Sequence, residues 1–66
     1  MIVTINGQET TCPPLTTVLT LLLHRQLDPT TVVAENNGVI IQGEAFATTQ
    51  LADGDRLELL SFVGGG

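Results

Sequence analysis

Lysine, tryptophan and tyrosine are missing from this 66-residue chain, and cysteine and histidine occur once each. Each shortage excludes something. Arg25 and Arg56 are the only basic side chains and the net charge is −5, so nucleic-acid backbones and anionic membranes are poor partners, and a positively charged protein surface is a better one. With Cys12 alone there is no intramolecular disulfide, which reads as an intracellular, cytoplasmic chain. Cys12 and His24 together fall short of the roughly four ligands of a structural zinc site. Phe46 and Phe62 are the only aromatic residues, so the core has to be aliphatic. The longest apolar cluster, Val18 to Leu23, is broken by Thr20 and is far shorter than the ~20 residues of a membrane span. No basic region precedes the first apolar residues, so no signal peptide is expected. Internal repeats and linkers are absent as well.

What is present fits one small globular domain. Apolar residues make up 42% and charged residues 14%, unlike a disordered segment. A chain of this length buries only about 60% of its unfolded surface. That leaves little interior for both a core and a catalytic cleft, and argues against an enzyme acting alone.

In chain order, Ile2-Val3-Thr4-Ile5 is β-branched throughout and favours a strand, with Val3 and Ile5 inward. Asn6-Gly7 is a strong hairpin signal, because a type I′ turn needs positive φ at both central residues. The return strand, Gln8 to Cys12, is polar, as suits an edge. Pro13-Pro14 ends the pairing. Thr16 or Thr17 caps a helix in which Val18, Leu21, Leu22 and Arg25 follow helical spacing, with Leu19 and Leu23 widening the stripe. His24 and Arg25 suit the negative end of the helix dipole, and Pro29 prevents continuation. His24 has no acidic or cysteine partner nearby in sequence and reads as exposed or capping.

Thr30 to Glu35 is a third strand, Asn36-Asn37-Gly38 a second hairpin turn, and Val39-Ile40-Ile41 a fourth strand. Alternation places Val32, Ala34 and Ile40 toward the helix and Val33 and Glu35 on the outer face. Gln42 to Phe46 forms a turn or one helical turn with Phe46 tucked beneath, and Thr48 to Leu51 is irregular. Asp53-Gly54-Asp55 is a tight turn that starts the last strand. There Leu57 and Leu59 alternate with Glu58, Leu60 and Phe62. The fold class is α+β: a mixed sheet of four to five strands with one helix on one face, the first and last strands forming a central parallel pair.

The last strand runs into Gly64-Gly65-Gly66. Three glycines cannot add to a core and are costly to order. They can lie extended in a narrow slot, carrying a carboxylate about 10 Å beyond the last packed side chain. Two readings stand at this point: a carboxyl group presented to a partner's active site, or a frayed end. Residues 1–63 accordingly read as the domain and 64–66 as a flexible tail.

Several segments taken in order carry a resemblance. They are Met1 to Asn6, Thr17-Val18 with Leu21-Leu22, Val32 to Gly38, Asp53-Gly54-Asp55-Arg56-Leu57-Glu58, and Phe62-Val63-Gly64-Gly65-Gly66. Together they resemble the sulfur carrier proteins of thiamin biosynthesis over nearly the whole chain. The resemblance implies a ubiquitin-like β-grasp fold and a protein co-substrate in place of an enzyme. It implies an E1-like adenylating enzyme that uses ATP and Mg²⁺ to convert the Gly66 carboxylate to an acyl-adenylate, the chain itself binding no cofactor. Sulfur from a cysteine desulfurase persulfide then displaces AMP to give a thiocarboxylate, and thiazole synthase receives the sulfur. Gly65 and Gly66 match the family's glycine pair, and Gly64 lies just ahead of it. Gly64 and Gly65 would thread a channel that admits no side chain. Asn36 and Arg25 depart from the family pattern, at positions often apolar.

Leu60 and Phe62 fall on the face away from the helix, where Val33 extends an exposed apolar patch and Glu35 and Glu58 rim it. Such a patch next to the tail suits partner docking. Cys12 reads as a small buried or edge residue, since no base or cation stands beside it to form a thiolate. Two other carriers share the general pattern. The small subunit of molybdopterin synthase tends to be longer and more basic before its glycines. A ubiquitin-like protein modifier is the other; lacking lysine, this chain could not build lysine-linked chains on itself, but could still modify other proteins.

Overall fold

The computed structural model describes residues 1–62; Val63 and the three glycines, and with them the expected tail, lie outside the described residues. Both Asn-Gly pairs do what their chemistry favours. Asn6 (φ 49°) and Gly7 (φ 83°) join strand β1 (Ile2–Ile5) to β2 (Gln8–Thr11). Asn37 (φ 53°) and Gly38 (φ 84°) join β3 (Val32–Asn36) to β4 (Val39–Ile41). Positive φ at both central positions is the type I′ geometry, whose twist matches that of the flanking strands. Gly54 (φ 87°) makes the turn before β5 (Arg56–Ser61).

The five strands form one sheet in the order β2-β1-β5-β3-β4. Its central pair, β1 and β5, is parallel, with Ile5 opposite Leu57. Every other neighbouring pair is antiparallel. This is the β-grasp arrangement. The β1–β5 ladder is short, and a side chain extends it: the Asn6 amide donates to the Leu59 carbonyl at 3.2 Å and accepts from the Leu59 N–H at 2.7 Å. Asn6 thus serves both the hairpin turn and the backbone of β5 where β1 has ended.

Helix α1 (Val18–His24) opens on Thr17, whose hydroxyl accepts from the Thr20 N–H while the Thr20 hydroxyl accepts from the Thr17 N–H. This is a capping box with threonine in the place usually held by Glu or Gln. The helix stops well before Pro29. Gln26 takes φ 61°, its N–H bonding to Leu23 and that of Leu27 to Leu22. This is the Schellman pattern, with glutamine in the left-handed position that glycine usually occupies. Consequently Leu23 and Arg25 are exposed and do not extend the buried stripe, contrary to the helical spacing read from the sequence. Pro29 instead opens a 3₁₀ turn, Pro29–Thr31, so β3 begins at Val32 and not at Thr30.

One core fills the space between helix and sheet. Val18, Leu21 and Leu22 meet Val3, Ile5, Val32, Ala34 and Leu57, and Phe46 closes one end after the 3₁₀ turn Gly43–Ala45. Each fully buried aliphatic side chain contributes about 1.5–3 kcal/mol. Cys12 is buried in this cluster just after β2. Ile40 is the clear departure. With Asn36 opposite Val39 across the Asn37-Gly38 turn, Ile40 stands opposite Glu35 and Ile41 opposite Ala34. Ile41 therefore packs on the core and Ile40 faces out. A residue in a strand shares the face of its cross-strand partner, and Glu35 had correctly been placed outside.

Asp55 fastens the sheet's far end. Its carboxylate accepts from the Asn36 and Asn37 side chains and from the Ala52 N–H, at 2.8–3.1 Å. Burial pushes its pKa up, but the bonds from Ala52, Asn37 and Asn36 together outweigh it, and the net shift is below the ordinary 3.8. Asn36, a departure from an apolar strand position, is thus held by a carboxylate, although its own Oδ1 is buried without a partner. Asp55→Ala should cost about 1–3 kcal/mol at neutral pH, the range for losing hydrogen bonds to a charged group. Because the folded pKa is depressed, that advantage is fully present above the unfolded value and is lost as pH falls through the folded pKa. The gap between the urea melts of the two proteins should therefore be widest at pH 7 and narrow once the pH falls below the ordinary value of 3.8. A gap that persists undiminished in acid would mean that packing, not charge, holds this turn.

Candidate functional site: the outer sheet face

Side chains alternate along β5, so burying Leu57 and part of Leu59 sends Glu58, Leu60 and Phe62 to the opposite side. Among the described residues no helix covers that side. Leu60 is 62% exposed and Phe62 54%. Val33 stands directly opposite Leu60 across the β3–β5 ladder, and Ile40, 59% exposed, adds an apolar side chain from β4. These four large apolar residues lie on three adjoining strands of that face. Sequence reasoning placed Leu60, Phe62 and Val33 there and missed Ile40, although the two-residue turn fixes its register.

The carboxylates sit one step along the same ladder. Glu58 is directly opposite Glu35, and Ile40 flanks Glu35 from β4. Like charges directly opposed across strands are unfavourable. Glu35 and Glu58 also line a concavity of about 510 Å³, with Arg56, Thr4 and Asn37 among its other walls. The result is an apolar patch with an acidic hollow beside it, the chemistry that receives a basic, apolar protein surface.

Beyond the end of β5, the Phe62 N–H donates to the carbonyl of Thr31, in the 3₁₀ turn before β3, at 2.7 Å. Thr31 is held in turn by Asp28: the Thr31 hydroxyl donates to the Asp28 carbonyl and the Asp28 carboxylate accepts from both the hydroxyl and the N–H of Thr30. Those bonds, the Thr30 side chain first, keep the Asp28 carboxyl below its ordinary pKa. Four residues follow Phe62 in the sequence, and four residues span at most about 14 Å. Gly64, Gly65 and Gly66 themselves lie outside the described residues.

Other candidates resolve differently. His24 is exposed in the last helical turn. Among the described residues no group of three His, Cys, Asp or Glu side chains could hold a metal ion, and no helix is long and apolar enough to cross a membrane.

Comparison with known proteins agrees with this fold. The family model described as the ThiS family matches residues 3–66. The crystal structure of a thiamine biosynthesis protein (ThiS) from Geobacter metallireducens is similar at 36% identity and a TM-score of 0.84, each chain covered completely. A solution structure of a thiamine biosynthesis protein from the same organism gives 0.78 at 36% identity, over all of this chain and 88% of that one. A curated relative, a thiazole synthase from Paramagnetospirillum magneticum, is 37% identical over 62 residues; the match takes in 94% of this chain but only 19% of that protein's length. A family match across almost every residue, on the fold the family's solved members share, places the chain: it belongs to the ThiS family, the sulfur carriers of thiamine biosynthesis.

Proposed function

We propose that this protein carries sulfur on the carboxylate of Gly66 for the synthesis of the thiazole ring. The observation that carries the reading is the family match, which extends through the three glycines to residue 66. The chemistry divides between this chain and its partners. A carboxylate is a poor electrophile and has to be activated before sulfur can be added to it. An E1-like adenylating enzyme therefore supplies ATP and Mg²⁺ and forms the acyl-adenylate with loss of pyrophosphate. The outer sulfur of a cysteine desulfurase persulfide displaces AMP to give an acyl disulfide. A second thiol of the partner enzymes then attacks the S–S bond and is oxidised to a disulfide, and the thiocarboxylate so released is the sulfur donor. Thiazole synthase is the recipient we favour, since a protein of that name contains a stretch similar to this chain.

The outer face supplies the docking in this scheme. Leu60, Phe62, Val33 and Ile40 give a partner apolar area to cover, while Glu35 and Glu58 attract its basic side chains and set the approach. Gly64 and Gly65 pass through a channel too narrow for a Cβ. Four residues from Phe62 to Gly66 reach at most about 14 Å, which bounds the depth of that channel from the patch.

Incubation with the adenylating enzyme, ATP, Mg²⁺ and a sulfur donor should add the mass of one oxygen-to-sulfur exchange to the intact protein. An unchanged mass with a competent enzyme set would refute the carrier role. Cys12 is buried and takes no part, so Cys12→Ser should load sulfur to the same extent. Its stability should change by less than about 2 kcal/mol, the ordinary span for one substitution. A folded Cys12→Ser protein that cannot be loaded would return Cys12 to the mechanism.

A further inference from the structure

We propose that a second docking site lies on the helix side of the domain, and that it takes an acidic segment of a partner protein bearing a large aliphatic side chain. A cavity of about 610 Å³ opens between helix α1 and the turn that follows β2, walled by Cys12, Pro13, Leu15, Leu21, His24 and Arg25 among others. That size falls in the range of sites that enclose a ligand group. None of the residues of the outer apolar patch lines it.

Two independent features say what enters. The first is charge. The chain has seven acidic residues and a net charge of −5, yet none of the seven lines this cavity. Its walls hold instead the only histidine and one of the only two arginines, both exposed. A lone cationic lip on an acidic protein is complementary to a carboxylate-bearing partner and repels nothing that such a partner brings. The second feature is backbone strain. Leu15 is held at φ 70°, a region that bulky side chains rarely adopt, and it is 74% exposed. The two preceding prolines stiffen the turn, and the Thr16 hydroxyl closes it on the Pro13 carbonyl at 2.7 Å. An unfavourable conformation that holds an apolar side chain in water at the mouth of an apolar cavity is explained by a contact that covers it.

The two sites differ in sign as well as place. The outer face presents carboxylates to a basic partner, and the helix side presents the Arg25 guanidinium to an acidic one. One partner can therefore hold the domain while another is exchanged, which suits a carrier passed between enzymes. The proposal does not depend on the chemistry of Gly66.

The test uses the full chain, uniformly ¹⁵N-labelled, and three peptides. Acetyl-Asp-Leu-Leu-Glu-Asp-amide carries both recognition elements, acetyl-Asn-Leu-Leu-Gln-Asn-amide lacks the charge, and acetyl-Asp-Ala-Ala-Glu-Asp-amide lacks the apolar anchor. The first should shift the amides of Cys12, Leu15, Thr16, His24 and Arg25 and leave Val33 and Leu60 in place. The other two should bind more weakly. Arg25→Gln should weaken the first peptide about fivefold, the upper end for one exposed charge pair, while its own spectrum elsewhere matches that of the unsubstituted protein. Leu15→Ala should weaken it as well. Equal binding of the neutral peptide, an Arg25→Gln variant of unchanged affinity, shifts centred on Val33 and Leu60, or no shifts at millimolar peptide would each overturn the proposal.

Discussion

Deleting Gly66 abolishes sulfur loading and leaves the melting temperature where it was. The two halves of this expected result come from different physics. Glycine has no side chain to pack, and the core of Val3, Ile5, Leu22 and Leu57 is complete among the described residues. Its removal takes nothing from that core. The chemistry is another matter. Without Gly66 the carboxylate moves back to Gly65, one residue or about 3.5 Å short of the adenylating centre. A misplacement of even 1 Å can slow a reaction about a hundredfold, so a whole residue should bring loading below detection. Intact-mass spectrometry after incubation with the complete enzyme set reads one outcome and a thermal melt the other. A deletion variant that still gains sulfur, on Cys12 or on Gly65, would show that the position of the carboxylate is not what the partner recognises. Gly65→Ala is the companion experiment: it keeps the length but adds a Cβ where the channel is taken to admit none, and it too should fail to load.

Much of the fold was legible because local chemistry and tertiary packing agreed. Asn6-Gly7 and Asn37-Gly38 demand left-handed geometry and the sheet uses it at both. Leu57 and Leu60 lie on opposite faces of a strand, and the structure buries the one and exposes the other. The failures have particular causes. Alternation along β4 taken by itself puts Ile40 inward, but its pairing with Glu35 across the turn decides its face. His24 and Arg25 do close the helix, but the residue that stops it is a left-handed Gln26, which has no special propensity for that role, and not Pro29. The Asn6 amide that completes the β5 ladder spans 53 residues of sequence, and no local pattern announces it. The cationic cavity was hidden for the same reason: Arg25 and Leu15 are ten positions apart, and only the packing of the helix over the turn brings them to one opening. Of the candidate site, the exposed apolar face could be read from alternation in β5 and β3. The glycine segment was named from its composition, and it lies outside the described residues.

Substitutions on β5 should separate folding from docking within a single strand. Leu57 is fully buried against the helix, so Leu57→Ala removes core volume and should cost about 2–5 kcal/mol. A chain of this length typically has roughly 3–10 kcal/mol in total at the usual stability per residue. That one change should therefore unfold much of the population near physiological temperature. Leu60→Ala and Phe62→Ala remove similar or larger side chains from the exposed face. They should move stability by no more than about 0.5 kcal/mol, as surface changes usually do. Their effect belongs in binding: each should weaken the complex with the adenylating enzyme by about 1 kcal/mol or more, with Val33→Ala and Ile40→Ala weaker because less area is lost. Glu58→Gln should act differently, slowing association and reducing its dependence on salt while stability holds or rises slightly, since it relieves the repulsion from Glu35. Calorimetry for affinity, urea melts for stability and stopped flow at two ionic strengths read these effects separately. If Leu60→Ala and Phe62→Ala lose stability like Leu57→Ala and bind normally once folded, the outer face belongs to the fold and the partner docks elsewhere. If they neither unfold nor weaken binding, the apolar patch is not the docking surface, and the cationic cavity on the helix side becomes the first place to look for one.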